Sequence, residues 1–260
     1  MATILGWAIQ QYPHVDVRRV PKEQAREWLR RGWDDLRHFW PASLAHGALI
    51  AMLGGMLLIL GSSHPYFIAA AVTGYLLIGP IMTTGACELS RRREAGEPVG
   101  FEESLQALTR NPRGLLQLGA MLAAIAIVWF VASEVMLRSI AHISGPGFGE
   151  VLWGGFTDTA SRGQVLAYIA SGAVLAAIVF TVSIVAVPLI IDQRASAVAA
   201  MSVSAKATFA NIPAMLRWSA LIVVLTAFGF LTLLVGMIVV APLLGHATWH
   251  AYRDLVAETS

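Results

Sequence analysis

Residues 231–255, LTLLVGMIVVAPLLGHATWHAYRDL, decide how this chain is read. The first half is an uncharged apolar run, at home in lipid or in a deep core. Pro242 then interrupts it. From there Pro242, His246, His250 and Asp254 follow at i, i+4 steps, so they share one face of a helix. The order is apolar span, proline break and polar exit, and the other hydrophobic stretches can be read against it.

Charge is scarce and segregated. Of 260 residues, 57% are hydrophobic and 13% charged, against about 25% charged in ordinary soluble domains. That balance excludes a soluble globular protein and makes the chain a polytopic membrane protein. No Asp, Glu, Lys or Arg occurs from Pro41 to Cys87 or from Trp218 to Trp249. As helices these runs would be roughly 70 Å and 48 Å long, against a hydrocarbon core of about 30 Å. Each must fold back once. Gly61-Ser62-Ser63-His64-Pro65 supplies the first break, and a tight turn is expected near Gly229 to Thr232.

The predicted architecture is all-α, with six transmembrane helices at about 42–61, 66–87, 114–137, 164–191, 214–229 and 231–251. With six spans, 16 of the 18 lysines and arginines fall on one side, leaving only Arg138 and Arg162 on the other. The positive-inside rule makes that first side, and both termini, cytoplasmic. Residues 1–20 form an N-terminal cytoplasmic segment, 21–40 an interfacial amphipathic helix, and 41–256 the six-span domain. The single cysteine, Cys87, excludes an internal disulfide. No signal peptide is expected at the N-terminus.

The interfacial helix reads PKEQAREWLRRGWDDLRHFW, with Trp28, Leu29, Trp33, Leu36 and Trp40 as an apolar stripe beside arginines. Tryptophans at headgroup depth account for the stripe, and protein docking is the functional alternative. Arg91, Arg92 and Arg93 stand at the membrane face, as a topology signal or as a contact for anionic lipid.

Three parallel helical-hairpin repeats are inferred, each an interfacial helix, an outgoing span, a turn and a returning span with proline. At an offset of 100 residues Ser104/Ser204, Ala107/Ala207, Asn111/Asn211, Leu116/Leu216 and Ala120/Ala220 match. Pro80, Pro188 and Pro242 each lie late in an even-numbered span. The repeats point the same way, so their axis lies along the membrane normal. The loop Arg138 to Arg162 holds Gly145-Pro146-Gly147-Phe148-Gly149 and Trp153-Gly154-Gly155-Phe156, either an interfacial loop or the cap of a cavity.

Several phrases resemble a family of bacterial predicted integral membrane proteins, domain of unknown function 2189. They are Trp28-Leu29-Arg30-Arg31-Gly32-Trp33-Asp34-Asp35-Leu36, Gly79-Pro80 with Glu88-Leu89-Ser90-Arg91-Arg92, and Gly245-His246-Ala247-Thr248-Trp249-His250-Ala251-Tyr252-Arg253. The likeness runs over about residues 17–256. It implies six spans, the bacterial cytoplasmic membrane and no established activity. Members are sometimes labelled as similar to cytochrome c oxidase subunit I. A core oxidase subunit needs more spans and more buried histidine ligands than this chain offers. Of its seven histidines, His14, His38, His64 and His142 fall outside the spans.

Chemistry, if present, gathers at the cytoplasmic ends of the spans. His46 lies in the first span, Cys87 and Glu88 close the second, and His246 and His250 close the sixth. If these helices meet, the five residues could converge on a transition metal, or His46 and His246 on a haem. The alternative is histidines satisfied by backbone, Asp254 and water, so no cofactor is predicted. The span centres lack ionisable residues, which disfavours transport of a charged solute. Glu134 and Arg138 are expected to pair with each other. No P-loop, dinucleotide fingerprint, zinc-protease motif or nucleophile–base–orienter set occurs.

The chain therefore reads as a non-enzymatic accessory, scaffold or assembly component. Gly54-Gly55, Gly172, Ala173, Ala176 and Ala177 would serve close helix contacts. Its partners are the lipid bilayer and a membrane protein complex or a second copy, with no nucleic acid. The alternative function is a carrier or channel for a small neutral or lipid-like molecule. Lipid phosphatidyl chemistry is the enzyme alternative, without an evident catalytic pair.

Overall fold

The computed structural model describes residues 16–61, 75, 79–141 and 162–257. It is all-helical, 85% helix, with no strands among the described residues. The loop expected to cap a cavity lies almost wholly outside the described residues, as does most of the expected second span. So do the side chains of Glu134 and Arg138.

The helices in chain order are α1 (Gln24–His38), α2 (Trp40–Gly61), α3 (Thr84–Ala95), α4 (Phe101–Leu105), α5 (Ala107–Arg110), α6 (Pro112–Ala141), α7 (Arg162–Ser183), α8 (Ala186–Gln193), α9 (Ala197–Ala210), α10 (Ile212–Leu231) and α11 (Met237–Leu255). Four stretches are long and apolar enough to cross a membrane: Trp40–Leu60, Pro112–Ser133, Leu166–Gln193 and Ile212–Leu231. Beyond the polar Arg113, Gln117 and Arg217 near their starts, they expose apolar residues, among them Met52 and Ile59 on α2, Leu116 and Val128 on α6, and Val223 and Val224 on α10. Surfaces of this kind suit lipid, where every backbone group is bonded within its own helix. Helix α11 is not among the four, because it carries His246, His250 and Arg253.

The chain forms two compact units. The first comprises Met1–Met52, Pro80–Gly119 and Phe180–Ser260; the second comprises Leu53–Gly79 and Ala120–Val179. In the second unit α6 and α7 pack through Trp129 against Tyr168, ring centroids 5.7 Å apart, with Ser133 Oγ and Tyr168 OH sharing a hydrogen bond of 2.7 Å. Gly172 admits the Trp129 ring at 3.4 Å from where a Cβ would be. Of the small residues expected to bring helices together here, Gly172 does so. Ala173, Ala176 and Ala177 are exposed.

In the first unit α11 is the central element, buried along most of its length. The amphipathic helix α1 turns Ala25, Trp28, Gly32, Asp35 and Leu36 inward. Gly32 allows the backbone of Ala247 within 3 Å of its missing Cβ. Trp28 meets Trp218 of α10 edge to face at 5.9 Å. This corrects the expectation of three interfacial tryptophans: Trp28 is fully buried, whereas Trp33 and Trp40 are exposed. The stripe on α1 binds protein because α11 offers it a small-residue groove at Ala247.

The three prolines behave differently from one another. Near Pro80 the helix breaks at Thr83 before α3 begins. Ahead of Pro188 it breaks at Ile184–Val185, where the Ser204 hydroxyl inserts into the ladder. It accepts from Val185 N–H at 3.4 Å and donates to Thr181 C=O at 2.8 Å, replacing the bond those two groups would make in a continuous helix. Pro242, read as a break, lies inside unbroken α11. Proline has no N–H, so the Ile238 carbonyl lacks its i+4 donor. That carbonyl is turned onto Gly47 of α2, 1.9 Å from where a Cβ would stand.

The turn expected near Gly229 to Thr232 falls slightly later, between Leu231 and Met237. At the opposite end of α10 and α11 the two ends of the described chain lie side by side. Val17 and Val256 form an antiparallel bridge. Arg18 N–H donates to Leu255 C=O at 2.8 Å, and Asn211 accepts from Val20 N–H at 2.8 Å.

Candidate functional site

The stripe on α11 is continuous, and each member binds a different partner. Asp254 accepts from Gln24 Nε2 at 2.7 Å, from Trp28 Nε1 at 2.8 Å and from Arg31. His250 Nε2 donates to Asp35 at 2.9 Å. His246, fully buried, meets Ser43 Oγ through Nε2 at 2.9 Å and Ser90 Oγ through Nδ1 at 2.8 Å. The Ser90 hydroxyl donates to Asp35, and so does Arg93.

These contacts have one consistent direction. An ionised carboxylate only accepts, so the Ser90 proton points at Asp35 and the Ser90 oxygen accepts from His246 Nδ1–H. His246 Nε2 is then the acceptor for the Ser43 hydroxyl. The chain runs Ser43, His246, Ser90, Asp35, with His250 and Arg93 closing it from the other side. Burial works to raise the Asp35 pKa, but the hydrogen bonds from His250 and Ser90 outweigh it and hold the group at about 2, below its ordinary 3.8.

Serine, histidine and aspartate thus share a network that no sequence motif announced. Ser43 and His246 are both fully buried, which keeps any substrate from the hydroxyl. Asp35, Ser43 and Ser90 were missed as partners of the stripe. A signal existed for Asp35: a carboxylate set three residues after Gly32 on the inward face of an amphipathic helix needs a buried partner.

A second network surrounds Glu88, which is fully buried. Arg91 grips it with two bonds, Nε at 2.9 Å and Nη2 at 3.0 Å. Arg92 Nε follows at 2.9 Å and Arg110 Nη1 at 3.3 Å. Arg91 and Arg92 also reach Glu97, while Arg92 donates to Pro98 C=O and Gln106. Arg110 Nε donates to Ile191 C=O near the end of α8. Arg91 and Arg92, expected at the membrane face, are instead folded inward, 7% and 9% exposed. A fully buried glutamate draws them in, since a buried carboxylate needs paired cations. Arg93 alone of the three remains partly open.

The helices carrying His46, Cys87, Glu88, His246 and His250 do meet, as the metal reading required. Their donor atoms are engaged separately. His46 Nε2 bonds Ser104 Oγ at 2.7 Å, its ring lying on Phe101 at 4.8 Å and against Gly85. Cys87 Sγ donates to Gly245 C=O at 3.2 Å. Among the described residues no three His, Cys, Asp or Glu side chains form a group that could hold a metal ion.

Helices of membrane-spanning length and apolarity, joined by a Glu–Ser–Arg-rich segment after a Gly-Pro, set the frame for comparison. Residues 67–192 match the family described as predicted integral membrane protein (DUF2189). The DUF2189 match takes in Pro80, the Glu88 network and Pro188, and ends before α9. The histidine stripe and α1 lie outside it. No curated protein matches the chain, and no solved structure does. The family carries no assigned activity, so this is a membrane protein of unknown function.

Between α1, α3 and α11 a cleft of about 550 Å³ opens beside Asp35. Arg31, Arg93 and Arg253 line it together with Asp35, Glu94 and Asp254. Each arginine is paired across helices, Arg31 with Asp254, Arg93 with Asp35 and Arg253 with Glu94. Asp34 adds a fourth carboxylate to the lining, and the three pairs knit three helices together.

Proposed function

We propose that the protein is a non-enzymatic accessory, scaffold or assembly component of the bacterial cytoplasmic membrane. In this reading it has six membrane segments in three parallel hairpins, with both termini cytoplasmic. One observation carries the reading: the polar groups with chemical potential are spent on joining helices. Glu88 is saturated by Arg91 and Arg92 of its own helix and by Arg110 of α5, and His246 of α11 by Ser43 of α2 and Ser90 of α3. Such networks fix one arrangement of helices and leave no open reacting group among them. The adjacency of Val17 and Val256 supports termini on one face, in keeping with the charge asymmetry.

The repeat reading draws support from the two matched asparagines. Asn111 donates to Ala195 C=O at 2.9 Å, in the segment entering the third repeat. Asn211 donates to Arg18 C=O at 3.0 Å, in the segment entering the first. The second repeat thus grips the entry to the third, and the third the entry to the first, two of the three contacts of a cyclic arrangement.

The test is purification in a mild detergent followed by mass spectrometry of the intact assembly. A stoichiometric protein partner, or a defined homo-oligomer, is the expected outcome. An isolated monomer carrying a small molecule, lipid or metal in fixed ratio would overturn the scaffold reading. The cleft beside Asp35 favours one alternative, binding of a small polar molecule at the helix ends, and the same spectra would reveal it.

A further inference from the structure

The turn between α10 and α11 is made of residues that a turn in water does not use. Residues 231–236 read LTLLVG. Leu231, Leu233 and Val235 are 81%, 84% and 66% exposed. Leu233 and Leu234 hold φ of 53° and 68°, the left-handed region where glycine or asparagine is the ordinary choice. The chain keeps leucine there and accepts the strain.

The N–H side of this turn is closed. Every backbone N–H from Thr232 to Val240 has a partner within the hairpin, at 2.8–3.1 Å. The Gly236 N–H, which has no backbone acceptor, is met by the Thr232 hydroxyl oxygen at 2.8 Å. Gly229 makes the tight closure possible, since a Cβ there would stand 2.3 Å from Met237 Sδ. A turn in water can leave such groups to solvent. A turn in hydrocarbon cannot, because no water is present to take them.

Depth points the same way. Arg217 pairs with Glu23 ahead of α1 at 3.3 Å, both side chains exposed, which marks the water level on α10. From Trp218 to Leu231 the helix has 14 residues, roughly 21 Å, and the turn adds about one pitch of 5 Å. The hydrocarbon layer is about 30 Å thick. The hairpin tip therefore stops short of the far headgroups.

We propose that the α10–α11 hairpin is re-entrant, its tip covered by lipid acyl chains in the far leaflet. Leu231, Leu233 and Val235 are the contact residues, and acyl chains replace the water that would otherwise surround the turn. The hairpin enters and leaves through one face, so the charge asymmetry and the adjacent termini are preserved. The inference rests on the membrane reading above and not on the scaffold role.

Spin labels on Leu231→Cys, Leu233→Cys and Val235→Cys in the full chain, reconstituted in vesicles, test it. Glu23→Cys serves as the aqueous reference, and the unsubstituted protein, whose Cys87 is buried, as the blank. At the three tip positions oxygen should broaden the spectrum strongly while a water-soluble nickel chelate has no effect. At position 23 the order should reverse. Nickel access at the tip would place the turn in water and overturn the proposal. Access by neither reagent would mean that protein covers the tip, which overturns it equally. Three positions guard against one variant failing to fold. The scaffold role is decided separately by the mass of the purified assembly.

Discussion

Glu88→Gln should be among the most damaging conservative changes in the first unit. The glutamate is fully buried and accepts from Arg91, Arg92 and Arg110. Glutamine keeps the shape but removes the charge, and it turns an NH2 group toward guanidinium donors. Arg91 and Arg92 then stay buried with only Glu97, itself 40% exposed, as a counter-ion. Breaking a buried pair by removing one partner costs about 3–5 kcal/mol. For a chain of this size, with roughly 2–4 °C per kcal/mol, the loss in Tm is on the order of 10 °C. Cys87 supplies the assay, because it is the one cysteine and is buried. A fluorogenic maleimide in detergent reports its exposure as the temperature rises. Glu97→Gln is the control, an exposed partner worth about 0–1 kcal/mol. If Glu88→Gln lowers the midpoint no more than Glu97→Gln does, the three-arginine clamp contributes little and the reasoning fails. Replacing Glu88, Arg91 and Arg92 together by leucine should recover part of the loss, since the most deeply buried charges go together and only the partly exposed Arg110 loses its partner.

The glycine expectations can be read with the same dye. Gly47→Ala puts a methyl group on the Ile238 carbonyl that Pro242 leaves without a donor, so α2 and α11 must separate. A loss of about 1–3 kcal/mol is expected, whereas Gly55→Ala, with open space at its Cβ, should cost nothing measurable. Asp35 has its pKa depressed to about 2 from 3.8, so its contribution of about 2 kcal/mol is complete above pH 4 and lost as the pH falls through 2. Asp35→Asn should flatten that acid limb of a Tm-against-pH curve, and an unchanged limb would assign it to other carboxylates.

Legibility varied with the physical range of each signal. The long apolar runs, the amphipathic period of Pro21 to Trp40 and the face shared by His246, His250 and Asp254 are local matters of period and composition. They reappear in α2, α6, α10, α1 and α11 with small shifts of boundary. The turn after Leu231 was misplaced by a few residues because neither proline nor glycine occupies its left-handed positions. Pro242 was read as a break, yet the helix continues through it, because the freed carbonyl packs onto a glycine elsewhere in the chain. Arg91 and Arg92 were placed at the membrane surface, since sequence reports charge and not the burial of the glutamate beside them.

The amino-acid sequence alone determined that this is an all-helical membrane protein with a basic face and a polar end to its last helix. Those properties follow from free energies of transfer and from helical period, which act residue by residue. Tertiary structure decided which groups meet: Ser43, His246, Ser90 and Asp35 in one directed chain, and Arg110 on a Glu88 that already has Arg91 and Arg92 at i+3 and i+4 on its own helix. Such meetings depend on residues from α1, α2, α3, α5 and α11 arriving together. Hydrogen bonds and buried ion pairs act over a few ångströms, so nothing in the order of residues could specify their partners before the helices had packed.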